Sequence, residues 1–442
     1  MGQGGYINLI NGSPYAWQQT YKHSYQMNAW GFPSTVASGK VQTVYVEWDE
    51  AHTTKDDAGE VTYTISNPTS SSFQIQARAT SGFMLQNWFS NLMTQNNAVG
   101  STLKFGWKHD GYVNFILSGS ENDFSSSNPP VSWMQKNIGS LGPRTLRHIT
   151  IPGSHDAGMS VRTGGTAGSF PCNTLTQTNS IAGQLNAGAR YFDIRPVISA
   201  GEYYTGHYSK IGDSWQGGNG QKISEIIAQV NAFTSANREL VILNLSHDLN
   251  TDNGNDNYTP FTQKEWDNLF TQLNTTSNLF VAPGDPTTVD LTTLSLNQFI
   301  GGNRAAVVMI VEPTSPSLGA FSRAGFYRYA QFNAYNSYSN TNDKNTMIND
   351  QLSKMRSVRS NPDGQYFILS WTLTQDAEDV VGCLIEVAPS IVDLGLEANP
   401  QMFAQLLNSV TKSTYPNVLY IDSIDSSDVT ALAMAINNYI NS

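Results

Sequence analysis

The chain has 442 residues, of which 39% are hydrophobic and only 13% are charged, and its formal net charge at neutral pH is -11. This length exceeds one ordinary domain of roughly 100–200 residues and indicates two domains. The acidic balance argues against nucleic-acid binding and against docking on anionic membranes through a polybasic patch, because both need a basic surface.

The first 125 residues, 1–125, predict an all-β domain, because short strand-like segments alternate with turn residues and show no helical period. The predicted strands span 6–9, 41–48, 60–66, 72–78, 102–106 and 112–117. Strands at this spacing are typical of a β-sandwich. Five of the nine tryptophans lie in this region, where they predict sandwich core; the alternative is an aromatic surface that binds lipid or sugar. No acid–base motif accompanies its histidines, so we expect a targeting or binding role.

A Ser- and Pro-rich stretch at 122–130 shows no periodicity and indicates a linker, which we place at 126–131. From 132 to 442, predicted strands at 146–151, 191–194, 240–245, 305–311, 366–372 and 418–422 alternate with helical segments. The predicted helices span 222–234, 263–273, 346–358, 400–411 and 428–440. This alternation predicts an α/β fold with a TIM-type (β/α) barrel over 132–442, preceded by the all-β domain.

Two cysteines, Cys172 and Cys383, lie far apart in the sequence, and either one bridge or two free thiols fits their number. No apolar run approaches the roughly 18–20 residues of a transmembrane helix. The first residues lack the layout of a signal peptide, although a chain starting at its mature N-terminus would look the same. The low charged share is common in extracellular proteins and sequons such as that at Asn257 permit secretion, so we expect a secreted protein, with a cytoplasmic one as the alternative. We also expect a monomer.

Side chains that perform acid–base chemistry stand at the ends of four strand-like segments of the barrel region. They are His155, Asp156, Asp193, Arg195, His207 and Asp422. The active site of a barrel is built at the carboxyl ends of its strands, so we expect these side chains to meet there. One imidazole can take a proton from an attacking hydroxyl while another gives a proton to the leaving oxygen. A guanidinium matches the non-bridging oxygens of a phosphodiester, so the set predicts phosphodiester cleavage.

The motifs around these residues resemble the X-region of phosphatidylinositol-specific phospholipases C, in particular the bacterial, calcium-independent branch. The resemblance covers about 131–442 and rests on Trp133, Ile-Pro-Gly-Ser-His-Asp at 151–156, Arg-Tyr-Phe-Asp-Ile-Arg at 190–195, Gly206-His207, Ser-Trp-Thr-Leu-Thr at 370–374 and Asp422. It implies a phosphodiesterase barrel with an added N-terminal β domain. It also implies that neither a metal nor another cofactor takes part, because Arg195 stands where the calcium-dependent branch has a ligand.

The resemblance assigns three pairs, each with one reacting group and one orienting carboxylate: His155 with Asp422, His207 with Asp156, and Arg195 with Asp193. The first imidazole would be the general base for the inositol 2-hydroxyl. The second would be the general acid for the diacylglycerol oxygen, and the guanidinium would stabilise the phosphoryl group.

The resemblance further implies substrate contacts at Glu312, Asn336, Tyr338, Trp371 and His247, with two departures from the family pattern. Glu312 corresponds to an arginine that helps to bind inositol in bacterial relatives. Asn336 replaces the aspartate of an Asp-x-Tyr pattern that ends here at Tyr338. His247 has the alternative of a supporting role at the rim. The headgroup pattern is therefore further from the family than the catalytic pattern.

The expected function is cleavage of phosphatidylinositol-type phosphodiesters by the inositol 2-hydroxyl, which gives diacylglycerol and a cyclic inositol phosphate. The expected partners are a phospholipid or other phosphodiester substrate and, peripherally, a membrane, but not nucleic acid. Two alternatives stay open. One is a lipid- or glycan-binding protein whose barrel is inactive, and the other is a related enzyme that acts on a different phosphodiester with a neighbouring hydroxyl.

Overall fold

The computed structural model describes residues 3–441. The strands in chain order are β1 (Gln3–Gly12), β2 (Trp17–Tyr25), β3 (Met27–Trp30), β4 (Thr35–Val36), β5 (Lys40–Trp48), β6 (Ala58–Ile65), β7 (Ser72–Arg78), β8 (Met84–Trp88), β9 (Thr102–Gly106), β10 (Tyr112–Ser118), β11 (Ser125–Ser126), β12 (Ile151–Ser154), β13 (Gly164–Gly165), β14 (Tyr191–Ile194), β15 (Pro196–Ser199), β16 (Glu202–Ile211), β17 (Ser214–Lys222), β18 (Leu240–Leu245), β19 (Leu249–Asn250), β20 (Ala306–Val311), β21 (Phe326–Arg328), β22 (Ala334–Tyr335), β23 (Tyr366–Trp371) and β24 (Val418–Ile421).

The α-helices are α1 (Trp133–Lys136), α2 (Ile138–Leu141), α3 (Ile181–Ala187), α4 (Ile223–Ala236), α5 (Gln263–Leu273), α6 (Leu296–Ile300), α7 (Tyr329–Phe332), α8 (Lys344–Val358), α9 (Ala377–Gly382), α10 (Ile391–Ser409) and α11 (Asp428–Asn441). The chain divides into two compact units. The first holds the residues up to Pro130, Pro400–Tyr415 and those from Ser427 onward, and the second holds Val131–Asn399 and Pro416–Ser426.

Two β-sheets build most of the first unit. Their strand orders are β11-β10-β1-β5-β3 and β4-β2-β6-β7-β8-β9. In β6 every second side chain is buried, which is the pattern of a strand with one face on a core. Buried side chains from both sheets form one apolar cluster, in which the rings of Trp17 and Phe115 lie 5.7 Å apart. Two sheets around a shared core are the arrangement of a β-sandwich.

The C-terminal helix α11 belongs to this first unit, whereas the sequence assigned it to the barrel. It packs against β1 and β10. The close approach requires Gly12 on β1, because a Cβ there would lie 2.4 Å from the Cβ of Ala435 on α11. The order of elements along the chain does not predict this, because α11 follows the last strand of the second unit but packs on the first strands of the chain.

The second unit is built on an eight-stranded sheet with the order β21-β20-β18-β14-β12-β24-β23-β22. Every ladder in it is parallel. Its central strands are buried along their whole length, as parallel strands are when helices cover the sheet. The strand order and parallel direction are those of a TIM-type barrel. Within residues 3–441, however, no ladder joins the end strands β21 and β22, so hydrogen bonds do not close the barrel.

The strand predicted at 146–151 is largely wrong. Leu146–His148 forms a 3-10 turn, and β12 begins only at Ile151. The Asn417 side-chain amide donates to the backbone carbonyls of Leu146 and Arg147, so these groups are not available to a ladder. β12 then runs between β14 and β24 for four residues.

A second sheet of the same unit has the order β13-β17-β16-β15-β19. Its long hairpin, β16 and β17, is antiparallel and follows β14 in the chain. Cys172 and Cys383 form a disulfide with Cα atoms 6.0 Å apart. The bridge joins two 3-10 turns, Pro171–Asn173 and Cys383–Ile385. No helix within residues 3–441 is long and apolar enough to cross a membrane.

Candidate active site

The site lies at the carboxyl ends of the central parallel strands. His155 follows β12, Arg195 follows β14 and Asp422 follows β24. Because Ser154 pairs with Ile421 in the ladder, the residues that come next, His155 and Asp422, are neighbours. Side chains distant in the sequence therefore meet at one edge of the sheet, as in other parallel α/β proteins.

The His155 imidazole is held between a carboxylate and a guanidinium. Its Nδ1 lies 2.7 Å from Oδ1 of Asp422, and its Nε2 lies 2.9 Å from Nη2 of Arg195. An ionised carboxylate only accepts hydrogen bonds, and an arginine only donates them. The network therefore assigns the ring proton to Nδ1 and leaves Nε2 as the acceptor. A neutral imidazole in this tautomer is the form that a general base requires.

The second imidazole comes from the hairpin rather than from the end of a barrel strand, where the sequence placed it. His207 lies inside β16 and pairs with Gly218 of β17. Its Nδ1 lies 2.7 Å from Oδ2 of Asp156, which is completely buried and has a φ of 41°. Aspartate adopts this left-handed backbone conformation more readily than most non-glycine residues. A carboxylate at Nδ1 orients the ring and stabilises its protonated form, which a general acid needs.

Asp193 is a buried hub that accepts four hydrogen bonds. Oδ1 accepts from the Ser246 hydroxyl at 2.6 Å, while Oδ2 accepts from the Tyr420 hydroxyl at 2.7 Å, Arg195 Nε at 3.0 Å and the Asp156 backbone N–H at 3.1 Å. Burial opposes ionisation of Asp193, but the charge of Arg195 and the Ser246 hydroxyl help to hold its pKa below the usual value. The hub remains a carboxylate and links the two acid–base pairs.

Arg195 stands between the two imidazole–carboxylate pairs. Its Nη2 contacts His155, and its Nη1 lies 3.6 Å from Oδ2 of Asp156. Burial would lower the pKa of Arg195, but the carboxylates of Asp193 and Asp156 raise it well above its ordinary value, so the group stays charged. A fixed, partly desolvated guanidinium is suited to bind non-bridging phosphate oxygens.

A cavity of about 340 Å³ opens at this end of the sheet. Its lining includes His155, Arg195, His207, His247 and Tyr338. The three carboxylates that orient the imidazoles and the guanidinium are absent from the lining and lie behind these partners. The cavity therefore presents two imidazoles and a cation to a ligand, while the negative charges are set back.

Three of the residues predicted to bind substrate are not part of the lining. The Glu312 carboxylate accepts from the Asn244 amide at 2.8 Å, and burial raises the pKa of Glu312. The Asn336 carbonyl accepts from the Ser370 hydroxyl at 2.6 Å. Trp371 is completely buried, and its indole N–H donates to a backbone carbonyl of α10. Matching motif positions could not reveal that these side chains bond to other side chains or pack in the core instead of lining the cavity.

His247 lines the cavity and also has a supporting contact. Its Nδ1 lies 2.9 Å from Oγ of Ser246. Burial and, next, the charge of Arg195 lower the pKa of His247, so its neutral form is favoured. It is therefore a polar, uncharged group on the wall of the cavity.

Two further residues support the site and were not singled out from the sequence. The amide of the buried Gln177 donates to the His155 carbonyl at 2.8 Å and to the Ile421 carbonyl at 3.1 Å, which ties the ends of β12 and β24 together. Tyr420 donates to Asp193, as described above. Alternation along β24 puts Tyr420 on the same face as Asp422, which is a signal that the sequence contains. Gln177 lies in a loop, where no periodic pattern marks it.

No group of three or more His, Cys, Asp or Glu side chains within residues 3–441 is arranged to hold a metal ion. No family profile and no curated protein match the chain. The chain is similar to the solved phosphatidylinositol-specific phospholipase C from Listeria monocytogenes, with 16% identity, coverage of 67% of this chain and 95% of that one, and a TM-score of 0.44. A structure of the Staphylococcus aureus phosphatidylinositol-specific phospholipase C from work on its membrane binding gives 17% identity, 70% and 98% coverage, and a TM-score of 0.48. Because these sequence identities and TM-scores are low, any role for the site residues has to be argued from the distances and hydrogen bonds described above.

Proposed function

We propose that this chain is a metal-independent phosphodiesterase that cleaves phosphatidylinositol-type phosphodiesters by intramolecular attack. The observation that supports this proposal is the pair of imidazole–carboxylate units on either side of one guanidinium, with both imidazoles and the guanidinium open to the same cavity. General acid–base catalysis needs one proton acceptor and one proton donor in reach of the same substrate. A guanidinium between them can stabilise the negative charge of the phosphoryl group.

In the proposed reaction His155 Nε2 takes the proton of a hydroxyl adjacent to the phosphodiester. The hydroxyl oxygen forms a bond to phosphorus, and the bond from phosphorus to the leaving alcohol oxygen breaks. His207 gives its proton to that oxygen, so the products are a cyclic phosphodiester and a neutral alcohol. One proton is gained and one is lost by the protein, and Arg195 balances the charge on the non-bridging oxygens during the step.

The proposed substrate carries the attacking hydroxyl on an inositol ring and loses diacylglycerol. A second candidate substrate is another phosphodiester with a neighbouring hydroxyl. It is favoured by the absence from the cavity lining of Glu312 and Asn336, the two departures from the inositol-binding pattern. Both candidates use the same proton transfers, so they differ in headgroup and not in mechanism.

We further propose an extracellular location and a monomeric enzyme whose first unit serves targeting. The Cys172–Cys383 disulfide supports the location, because disulfides persist mainly in oxidising compartments. The histidines of the first unit, His23, His52 and His109, lie at exposed positions rather than in a shared cavity. This supports a binding role for the first unit.

The test is a panel of phosphodiesters with and without a neighbouring hydroxyl, incubated with protein that has been treated with a chelator. Phosphorus NMR identifies the products. We expect a cyclic phosphodiester from substrates with the neighbouring hydroxyl, undiminished by chelation, and no turnover of the others. A loss of activity that calcium restores would contradict the metal-independent mechanism.

The variants His155→Ala and His207→Ala should each lose a factor on the order of 10²–10⁴ in rate. His148→Ala is the matched control, because His148 is also paired with a carboxylate, Asp363, but is absent from the cavity lining. Wild-type protein that binds lipid vesicles but turns over no member of the panel would favour the alternative of a binding protein with an inactive barrel.

A further inference from the structure

We propose that Tyr420 and Tyr338 form a hydroxyl relay that fixes the orientation of the Arg195 guanidinium, which makes both tyrosines positioning residues. The proposal rests on the phosphodiesterase function above, because it concerns how the cation of that site is held. It assigns a role to Tyr420, and it gives Tyr338 a role in addition to lining the cavity.

The relay is a chain of three hydrogen bonds that runs from Asp193 to Arg195. The Tyr420 hydroxyl lies 2.7 Å from Oδ2 of Asp193, and the Tyr338 hydroxyl lies 2.9 Å from the Tyr420 hydroxyl. Nη2 of Arg195 lies 3.4 Å from the Tyr338 hydroxyl. Nε of Arg195 also donates directly to Oδ2 of Asp193 at 3.0 Å. The four groups therefore form a closed ring of hydrogen bonds.

The direction of every hydrogen bond in this ring follows from Asp193, which only accepts, and from Arg195, which only donates. Asp193 is a carboxylate and only accepts, so Tyr420 donates its single hydroxyl proton to Asp193. The Tyr420 oxygen then accepts from Tyr338, whose own proton is used in that bond. The Tyr338 oxygen is left to accept from Arg195, which only donates. Burial raises the pKa of both phenols, so both keep the protons that the ring needs.

A closed ring restricts rotation of the guanidinium in a way that a single ion pair does not. Apart from the relay, the guanidinium is held by Asp193 at Nε, by the 3.6 Å ion pair with Asp156 at Nη1 and by His155 at Nη2, and His155 is itself a reacting group. The relay adds a second contact at Nη2 that does not depend on His155. Holding Nη2 in place keeps the cation beside the base, where the charge of the reaction develops.

The backbone that carries Tyr338 is itself held by α8. The amide of the fully buried Gln351 donates to the Ser337 carbonyl at 2.8 Å. Nζ of Lys354 donates to the carbonyls of Ser337 and Tyr338, both at 3.1 Å, and pairs with Asp350 at 2.6 Å. The end of the relay nearest the cavity is thus fixed from outside the active site.

The test compares Tyr420→Phe, Tyr338→Phe and the double variant in steady-state kinetics on a soluble phosphodiester. Tyr420→Phe keeps the aromatic side chain and removes only its hydroxyl, so a packing role alone predicts little change in kcat. The relay predicts a fall in kcat of about 10- to 100-fold with a much smaller change in KM, because a misplaced catalytic group slows the reacting step. The double variant should match Tyr420→Phe within about threefold, because members of one unit are not additive.

Two other tyrosines of the second unit provide matched controls. Tyr366 is fully buried, and its hydroxyl has no hydrogen-bond partner among the described residues, so Tyr366→Phe should leave kcat and stability unchanged. Tyr327 is fully buried and donates to the Phe280 carbonyl at 2.8 Å, away from the cavity. Tyr327→Phe should lower stability without lowering kcat. A fall in kcat in Tyr327→Phe equal to that in Tyr420→Phe would attribute the effect to stability and overturn the relay.

A second measurement does not depend on turnover. With selective ¹⁵N labelling of arginine, the signal of Arg195 is the one that disappears in Arg195→Lys. The relay predicts slow rotation of its guanidinium about the Nε–Cζ bond in the wild type and rotation faster by about tenfold or more in Tyr420→Phe, as expected when a local constraint is removed. An unchanged Arg195 signal in Tyr420→Phe would overturn the relay. A double variant whose loss of kcat equals the product of the two single losses would also overturn it. If the wild type cleaves no phosphodiester, the proposed function fails while this measurement still decides the relay.

Discussion

Replacing Arg195 by lysine tests the central cation of the site with the least change in charge. Arg195 uses Nε on Asp193 and Nη2 on His155 and Tyr338, so one planar group makes three directed contacts. Lysine keeps a positive charge, but its ammonium is a single point at the end of a flexible chain. It can pair with Asp193 or reach the cavity, but it cannot reproduce the fork.

The expected loss follows from the number of contacts that survive. Removing one preorganised donor to a developing charge typically lowers kcat by about 10²–10³-fold, or about 2.7–4 kcal/mol. The Asp193 carboxylate keeps three of its hydrogen bonds, because it still accepts from the Ser246 hydroxyl, the Tyr420 hydroxyl and the Asp156 backbone N–H. Arg195→Lys should therefore lower kcat by about 10²–10³-fold and leave the fold intact.

The assay is steady-state turnover of a soluble phosphodiester, with folding checked by circular dichroism. Arg328→Lys is the control, because Arg328 is a partly buried arginine whose guanidinium donates, among the described residues, to the Pro313 and Pro316 carbonyls, outside the cavity lining. A kcat for Arg195→Lys within about tenfold of the wild type would show that a positive charge alone suffices for catalysis and would contradict this expectation.

Three further predictions concern stability. Burial raises the pKa of Glu312, so the folded state binds this proton more tightly than the unfolded state. The free energy of unfolding should therefore fall as the pH rises from roughly 4.3, the unfolded pKa, to the raised folded pKa. Glu312→Gln should remove that fall in thermal melts, and an unchanged pH dependence in this variant would contradict the prediction. The Cys172–Cys383 bridge closes a loop of 211 residues, so the double serine variant should lose about 2–5 kcal/mol in denaturant unfolding, and equal stability would contradict the pairing. Leu432→Ala, in the buried face of α11, should cost about 2–5 kcal/mol in unfolding without changing kcat on a soluble substrate, whereas a lower kcat would tie this helix to the active site.

Short apolar strands followed at once by polar residues made much of the second unit predictable. The bounds predicted at 191–194 and 240–245 agree with β14 and β18, because fully buried parallel strands are continuous apolar runs. His155, Arg195 and Asp422 follow such strands directly, so their meeting at one edge could be expected from the parallel direction alone.

The remaining features depend on contacts that a local pattern does not contain. His207 reaches the cavity on a hairpin, and its position is fixed by pairing with β17 rather than by a barrel strand. The helix α11 packs on strands from the opposite end of the chain. Trp371 fits a family motif, but its direction into the core is decided by its neighbours in three dimensions. The pairing of Cys172 with Cys383 likewise follows from proximity that sequence spacing does not give.

The opposite roles of His155 and His207 are tested most directly by changing the leaving group of the substrate. A phosphodiester with an alkyl leaving group needs a general acid, whereas one with a nitrophenyl leaving group departs without a proton. We expect His207→Ala to lose a large factor in rate on the alkyl substrate and to recover most of its rate on the nitrophenyl substrate, while His155→Ala is impaired on both. Equal impairment of the two variants on both substrates, or recovery of His155→Ala instead, would contradict the assignment of base and acid.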